Sequence, residues 1–269
     1  MLIIEKDSFN PIHTFECGQC FRWNYNDKGV YTGISRDKIC RVTGDKIICN
    51  KSDIDFWREY FDLDTDYSKI KDILLKTDST LDECIRFGGG IRILKQDLWE
   101  TIVSFIISAN NNIPRIKRII ETMCKMYGER IVSEEEVLYS FPSARVISNL
   151  KKADLAPLKV GYRDEYIIDA AQKVVNKEVD LDALSTMSDN EAKKELMKIK
   201  GVGDKVSDCI LLFALKRFSV FPTDVWIKRI LSNIYNVEDK DIIQFVSKKY
   251  KSLAGYAQQY LYYYYRNKL

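Results

Sequence analysis

Residues 201–224 read GVGDKVSDCILLFALKRFSVFPTD, and this stretch decides how the rest of the chain is interpreted. A Gly-Val-Gly turn at 201–203 leads directly into an apolar, helix-like run, with Lys205 at its start. Glycine lets backbone N–H groups approach a phosphate closely because it has no Cβ, and helix N-termini attract anions. A lone carboxylate, Asp224, follows after a short connection. An amine and an anion beside a phosphate-binding turn indicate chemistry on DNA.

Four further segments accompany this stretch and extend over most of the chain. They are GQCFRW at 18–23, NNNIPR at 110–115, FPS at 141–143 and GYR at 161–163. Together with 201–224 they follow the order found in the 8-oxoguanine DNA glycosylases, a branch of the helix-hairpin-helix Gly/Pro-Asp (HhH-GPD) superfamily. The chain resembles that branch along nearly its whole length.

The resemblance implies catalytic roles for two residues. Lys205 matches the lysine of bifunctional members, which attacks C1′ of the damaged nucleotide, expels the base and supports strand cleavage by β-elimination. Asp224 matches the aspartate whose charge stabilises the developing cationic sugar. A position in the first turn of a helix predicts that the macrodipole disfavours the ammonium form of Lys205. From the hairpin alone, a non-catalytic DNA-binding lysine is an equally good interpretation, and many aspartates at such positions only cap a helix.

Four residues match the family's pocket for the oxidised base. The resemblance implies that the backbone carbonyl of Gly18 accepts a hydrogen bond from N7–H of 8-oxoguanine, which guanine lacks. It implies that Cys209 packs on one face of the base and that Gln258 reads its Watson–Crick edge. Tyr262 would cover the other face, where the family usually has phenylalanine. A strand glycine and a helix-core tyrosine are the alternatives.

Four more residues match positions that contact the strand opposite the lesion. A glycosylase takes its target base out of the stack, so it must also bind the orphaned partner. The resemblance implies that Asn110, Arg115 and Arg163 recognise the unpaired cytosine, and their side chains suit base edges. Tyr162 would be the aromatic wedge beside the gap. A helix-terminal asparagine, solvated arginines and a core tyrosine are the alternatives.

The hairpin itself is expected to bind the DNA backbone. Backbone N–H groups of Gly201, Gly203 and Val206 are predicted to hold a phosphate downstream of the lesion. The sequence does not decide whether a cation bridges the hairpin and the phosphate.

The sequence predicts no cofactor and no metal site. Cys17 and Cys20 form a C-x-x-C pair in a strand-like region, with no second pair at zinc-finger spacing. Some superfamily members carry an iron–sulfur cluster on four cysteines after the motif, but only Cys209 lies in that part of this chain. Trp226 stands where the family has a histidine, and the lone histidine, His13, is remote in sequence. Histidine-based catalysis is therefore not expected.

Composition describes an ordinary globular chain. It has 269 residues, 46% hydrophobic residues and a net charge of only +3, so a DNA-binding face must come from an uneven distribution of Lys and Arg. The seven cysteines are irregularly spaced, which predicts reduced thiols. No apolar run is long enough to span a bilayer, and no signal-peptide pattern opens the chain. We expect a monomer that is intracellular and cytoplasmic, associated with the nucleoid if its source is prokaryotic.

The predicted fold is α+β. Residues 1–94 are expected to form an N-terminal domain with an antiparallel β-sheet, and residues 95–269 a mostly helical HhH-GPD domain that can divide into two helical subdomains. The helix-hairpin-helix is placed at about 190–216. Strands are predicted at Val30–Ile34, Ile39–Thr43 and Lys46–Cys49, with a turn at Gly44.

These patterns predict a bifunctional 8-oxoguanine DNA glycosylase and AP lyase that acts on double-stranded DNA with cytosine opposite the lesion. One alternative is a monofunctional alkylbase DNA glycosylase, which would use Asp224 and water. The other is a helix-hairpin-helix module that binds DNA without catalysis. Lys205 has no task in the first alternative, and Asp224 has none in the second.

Overall fold

The computed structural model describes residues 2–3, 8–26, 28–133 and 136–268. An antiparallel sheet of five strands lies near the N-terminus, in the order β1-β5-β4-β3-β2, and a mostly helical region follows. The predicted α+β class is confirmed. The strands of this sheet are β1 (Leu2–Ile3), β2 (Trp23–Tyr25), β3 (Tyr31–Ser35), β4 (Lys38–Thr43) and β5 (Lys46–Cys49).

The sheet forms because β-branched and aromatic residues alternate with polar ones along β3 to β5. Its inner face buries Val42 and Ile47 completely, against the rings of Trp23 and Trp57. Gly33 lies opposite Trp23, and a Cβ at Gly33 would be 2.4 Å from the indole ring. That close approach explains a glycine in the middle of a strand.

Fourteen helices are present in the described part of the chain. The first four are α1 (Pro11–Phe15), α2 (Ile54–Tyr60), α3 (Tyr67–Thr77) and α4 (Leu81–Gly88). The next five are α5 (Leu98–Ser108), α6 (Ile113–Tyr127), α7 (Ala144–Ser148), α8 (Lys152–Leu155) and α9 (Arg163–Val175). The last five are α10 (Asp189–Leu196), α11 (Asp204–Leu215), α12 (Val225–Tyr235), α13 (Ile242–Tyr250) and α14 (Ala254–Lys268). A hairpin of β6 (Arg130–Val132) and β7 (Val137–Tyr139) lies between α6 and α7.

Helix α5 is the centre of the helical core and packs against α6, α9 and α11. The Asp97 carboxylate caps the start of α5 by accepting from the backbone N–H of Glu100, at 3.0 Å. The Glu100 carboxylate does not complete the capping box, because it turns to the guanidinium of Arg22 at 3.4 Å. Both partners of this pair are buried.

Helix α14 closes the helical core from the far end of the chain, packing against α4, α12 and α13. Helices α3 and α4 belong to the same hydrophobic cluster as α14, although they lie in the first third of the sequence. A separate, smaller cluster lies under the sheet. The division of the chain at residues 94 and 95 stays a prediction.

Candidate active site

The hairpin between α10 and α11 depends on glycine for two different reasons. Gly201 has φ +80°, and a Cβ there would be 2.3 Å from the ring of Tyr166. A Cβ at Gly203 would meet nothing within 4 Å, so the backbone here is open. The side chain of Val202 is buried and anchors the turn. The first N–H groups of α11, including that of Val206, have no partner inside the helix and are available to an anion.

Lys205 lies in the first turn of α11, with its ammonium over the ring of Phe105, 5.2 Å from the centroid. Cys209 lies one turn further along the same helix, and its side chain is close enough to that of Lys205 for each group to shift the pKa of the other. Burial raises the pKa of Cys209 to about 11 in spite of its charged neighbour, so the sulfur is a thiol at neutral pH. The ammonium of Lys205 therefore lies between a neutral thiol on one side and an aromatic face on the other.

The charge state of Lys205 differs from the sequence expectation. Burial alone would lower the pKa of its amine. Interactions with its neighbours Cys209, Asp224 and Tyr262, of which Asp224 is the carboxylate, outweigh burial, so the pKa of the amine lies above its ordinary value. The macrodipole was expected to disfavour the ammonium form, but the net shift of the pKa in the unliganded protein is upward, so Lys205 is an ammonium at neutral pH.

Asp224 is the N-cap of α12, as predicted. Its backbone is extended, and its Oδ1 accepts from the N–H of Ile227 at 2.9 Å. Pro222 and Phe221 are buried just before it and fix the approach of the chain. Because the cap holds the carboxyl group in place, Asp224 presents a fixed charge to the cavity that Lys205 also faces.

One small cavity brings together the two predicted catalytic residues and all four predicted base-pocket residues. Its volume is about 40 Å³, far below the roughly 300–1,000 Å³ of ordinary ligand pockets. A purine therefore requires part of the wall to move. The cavity is lined by Gly18, Phe105, Lys205, Cys209, Phe213, Pro222, Asp224, Gln258, Gln259 and Tyr262.

Two polar groups in this cavity are arranged for recognition. Gly18 has φ +88°, in the left-handed region, and lies against Tyr262. Gln258 is buried, and its Oε1 has no hydrogen-bond partner among the described residues. A buried amide oxygen without a partner costs free energy, so a ligand that donates to it would bind favourably. Its neighbour Gln259 is instead held by Cys17, with Nε2 3.1 Å from the sulfur.

The residues predicted to face the opposite strand gather on one surface. Asn110 and Tyr162 are exposed, Tyr162 by 55%. Arg115 is also exposed, and it donates to the carbonyl of Lys159 at 3.0 Å. The surface therefore offers an amide, a ring and a guanidinium close together.

Arg163 differs from the other three because it is buried. Its guanidinium donates to the carbonyls of Ala109, Asn110 and Val160, each at 3.1 Å. It also lies over the ring of Tyr162, 4.5 Å from the centroid. The Arg163 side chain binds the carbonyls of the neighbouring loops and does not extend into solvent. The alternative interpretation, a solvated arginine, is therefore wrong for Arg163.

The hairpin and the wedge residue are joined through one aromatic ring. The Tyr166 ring contacts the backbone of Gly201 on one side. It packs edge-on against Tyr162 on the other, with centroids 5.6 Å apart. The predicted phosphate-binding turn and the predicted wedge thus share one support.

Four residues that line the cavity were not among the predicted site residues, namely Phe105, Phe213, Pro222 and Gln259. The two phenylalanines stack at 5.5 Å inside α5 and α11, where each resembles an ordinary core residue. Only their position beside Lys205 in the folded protein distinguishes these two phenylalanines from other core residues. Gln259 follows directly after Gln258, and that pair of amides in an apolar helix was a usable signal.

The described cysteines are all free thiols. Burial raises the pKa of both Cys17 and Cys20. Within 2–3, 8–26, 28–133 and 136–268, no group of three or more His, Cys, Asp or Glu side chains is placed to hold a metal ion. Among the same residues, no helix combines the length and the apolar character needed to cross a membrane.

Comparison with known proteins agrees with this geometry. Residues 103–255, which include the hairpin, Lys205 and Asp224, match the family described as HhH-GPD superfamily base excision DNA repair protein. The chain belongs to the HhH-GPD superfamily. Residues 1–102 match the N-terminal domain of 8-oxoguanine DNA glycosylases. The resemblance inferred from the sequence motifs is therefore confirmed for both parts of this HhH-GPD protein.

Individual relatives cover most of the chain. A probable N-glycosylase/DNA lyase of Methanothermobacter thermautotrophicus is 31% identical over 225 residues, 75% of this chain and 70% of that protein. The structure of MBOgg1 with a low-affinity DNA ligand has a TM-score of 0.92 and 45% identity, covering 97% of this chain and 93% of that one. The 8-oxoguanine glycosylase/lyase of Clostridium acetobutylicum, bound to DNA with cytosine opposite 8-oxoguanine, has a TM-score of 0.91 and 37% identity, covering 100% and 98%.

Proposed function

We propose that this protein is a bifunctional DNA repair enzyme that excises 8-oxoguanine from duplex DNA and cleaves the strand at the resulting site. One observation carries the proposal: Lys205, Cys209 and Asp224 line a single cavity together with Gly18 and Gln258. Membership of the HhH-GPD superfamily and likeness to N-glycosylase/DNA lyases support the same activity.

The chemistry begins with the amine of Lys205. The ammonium must first lose a proton, after which Nζ attacks C1′ of the flipped nucleotide. The bond between C1′ and N9 breaks, and the base leaves with the electron pair and takes up a proton. The fixed charge of Asp224 stabilises the cationic sugar that develops in this step. Displacement first gives a closed-ring aminal. The sugar ring then opens: the bond between C1′ and O4′ breaks, O4′ takes up a proton, and C1′ and Nζ of Lys205 form a Schiff base.

Strand cleavage follows from the same intermediate. Loss of a proton from C2′ of the Schiff base breaks the bond between C3′ and its oxygen, which is β-elimination. Water then hydrolyses the Schiff base and releases Lys205. An amine nucleophile carries out every covalent step, so we propose that the reaction needs no metal and no organic cofactor.

Recognition of the base is assigned to the other cavity residues. We propose that the Gly18 carbonyl accepts from N7–H of 8-oxoguanine. The free Oε1 of Gln258 is suited to accept from the donors on the guanine Watson–Crick edge. Cys209 and Tyr262 would cover the two faces of the base.

The exposed surface around Tyr162 is assigned to the opposite strand. We propose that Tyr162 fills the gap left by the flipped base, while Asn110 and Arg115 reach the unpaired cytosine. Arg163 can join them only by giving up a carbonyl contact of its present site. Excision of 8-oxoguanine should therefore be faster opposite cytosine than opposite adenine, and equal rates would refute the assignment.

The hairpin is assigned to the DNA backbone. We propose that N–H groups of Gly201, Gly203 and Val206 bind a phosphate of the lesion strand. We further propose that the enzyme acts as a monomer inside the cell.

The alternatives give different products. A monofunctional alkylbase glycosylase would release its base without a covalent enzyme intermediate. A binding module would release no base at all. Neither alternative uses Lys205, Cys209 and Gln258 in one cavity.

Borohydride trapping tests the proposal on a duplex with 8-oxoguanine opposite cytosine. Wild-type protein should give a covalent adduct, and Lys205→Gln should give none. Lys228→Gln is a matched control, because it removes an exposed lysine that pairs with Asp239 away from the cavity. Equal trapping by wild type and Lys205→Gln would place the nucleophile elsewhere. Base release without any adduct would favour the monofunctional alternative.

A further inference from the structure

Arg266, near the end of α14, has a guanidinium that is only partly satisfied. Its Nη2 donates to the backbone carbonyl of Glu16 at 2.7 Å. Its Nη1 is shielded from solvent and has no hydrogen-bond partner among the described residues. A buried charged donor without an acceptor costs free energy, so its place in the molecule calls for an explanation.

This free donor lies directly behind the base cavity. A Cβ built on Gly18 would be 3.1 Å from Arg266 Nη1 and 3.4 Å from Tyr262 Cε1. The guanidinium also lies beside the Tyr262 ring, 5.5 Å from its centroid. Arg266 therefore contacts two residues of the cavity wall without facing the cavity itself.

Opening of the cavity would change that arrangement. The cavity is too small for a purine, so some of its wall must move. Of the three aromatic rings in the wall, Phe105 and Phe213 are buried in α5 and α11, whereas Tyr262 on α14 is partly exposed. Tyr262 is therefore the ring that can move. Displacement of the Tyr262 ring would uncover Nη1 beside Gly18.

The hydrogen-bonding groups of 8-oxoguanine are complementary to the Gly18 carbonyl and to the Nη1 that this movement would uncover. In 8-oxoguanine, a donor at N7–H and an acceptor at the C8 carbonyl stand on adjacent ring atoms. Gly18 and Arg266 would offer an acceptor and a donor side by side. Guanine has an acceptor at N7 and a C–H at C8, so it mismatches both.

We propose that Arg266 is a specificity-determining residue whose Nη1 donates a hydrogen bond to the C8 carbonyl oxygen of the flipped base. The proposal deepens the proposed function and rests on it. The neighbouring polar side chains are committed elsewhere: Lys205 to the sugar, Gln258 to the Watson–Crick edge and Gln259 to Cys17.

Equilibrium binding tests this assignment without turnover, in a Lys205→Gln background. Three duplexes are compared, carrying 8-oxoguanine, guanine or a tetrahydrofuran abasic analogue at the same position opposite cytosine. Arg266→Leu should weaken binding of the 8-oxoguanine duplex by about 10- to 100-fold, because a hydrogen bond from a charged group is lost. Binding of the other two duplexes should change by less than about threefold.

Two further variants complete the design. Arg266→Lys retains a charged donor but loses the second arm of the guanidinium, so it should recover part of the affinity that Arg266→Leu loses. It also serves as the test variant if Arg266→Leu does not fold. Arg86→Leu is the matched control, since it removes an exposed guanidinium paired with Asp82 on α4. Equal losses of affinity for all three duplexes would show that Arg266 only supports the structure around Gly18 and would overturn the proposal. No loss on the 8-oxoguanine duplex would overturn the proposal outright.

Failure of the proposed function gives a different result. Excision of 8-oxoguanine by the protein with Lys205 intact is measured in parallel. If that protein does not excise the base while binding still depends on Arg266, the proposed function fails and the recognition contact stands. If excision is normal and Arg266→Leu binds like its parent, only the contact fails.

Discussion

The ammonium of Lys205 lies 5.2 Å from the centroid of the Phe105 ring. Phe105 is in turn stacked on Phe213 at 5.5 Å, with the two rings only 15° from parallel. The face of an aromatic ring attracts a cation. The proposed nucleophile thus lies on a stacked pair of aromatic rings in its protonated state, and it must lose a proton before it can react.

Replacing Phe105 should therefore change the pH dependence of the reaction. Phe105→Leu removes a contact that favours the ammonium, worth about 0.5–1 kcal/mol, so the pKa of Lys205 should fall by about half a unit. The rising limb of the glycosylase rate against pH should move to lower pH by the same amount. Single-turnover rates between about pH 6 and 9 measure it. Phe213→Leu, which disturbs the stack without touching the lysine, is the control, and identical shifts in both would contradict the cation–π explanation.

Asp224 combines a structural and a chemical task, and Asp224→Asn separates them. Asparagine caps helices as well as aspartate does, so thermal stability should change little. The rate of base excision should fall by about 10²- to 10³-fold, because the charge facing the sugar is lost. Asp224→Ala is the comparison, since it also removes the cap and should lower the free energy of unfolding by about 1 kcal/mol. If Asp224→Asn excised the base at the wild-type rate, the electrostatic role of Asp224 would be refuted.

The two hairpin glycines should respond differently to alanine. Gly201→Ala forces a Cβ into the Tyr166 ring at a positive φ, and we expect a loss of stability of about 1–3 kcal/mol. Gly203→Ala meets nothing within 4 Å and should change stability by less than about 0.5 kcal/mol. It should still weaken binding to abasic-analogue DNA, because a methyl group would hinder close approach of a phosphate. Thermal unfolding and equilibrium binding measure the two effects, and unchanged binding by Gly203→Ala would refute the phosphate contact.

Glu100 should make stability depend on pH. Burial raises its pKa to about 7, although the guanidinium of Arg22 opposes the shift. Between the unfolded pKa near 4.5 and the folded value, the folded state holds a proton that the unfolded state has released, so stability falls as pH rises. Glu100→Gln cannot release that proton, so its stability relative to wild type should improve by about 2–3 kcal/mol between pH 4.5 and pH 7.5. Urea unfolding at both pH values tests this, and parallel changes in the two proteins would contradict it.

Local sequence patterns predicted most of the framework. The strands at β3 to β5 were predicted within about a residue, and the Asp97 and Asp224 caps are present, because turns, alternation and capping act over a few residues. Helices α3 and α4 were missed, since their apolar faces are completed by α14 from the other end of the chain.

Sequence motifs predicted most of the residues that line the cavity, but they did not predict the upward pKa shift of Lys205. Local reasoning about Lys205 took account of the helix macrodipole but not of Asp224 and Tyr262, which only tertiary packing brings near. Arg163 was expected to extend toward DNA, but it is buried because three loop carbonyls lie within its reach. The roles of both residues in DNA binding and catalysis stay predictions.

Tyr166 stands between the hairpin and the wedge, and this has a mechanical consequence. The ring contacts Gly201 and Tyr162, so neither can shift much without disturbing the other. If the turn binds a phosphate and Tyr162 fills the gap, as proposed, the Tyr166 ring sets the spacing between these two contacts with DNA. DNA already weakened by a lesion deforms at lower energetic cost, so it would adapt to that spacing more easily than intact DNA. The Tyr166 ring would then couple phosphate binding to the deformability of the duplex.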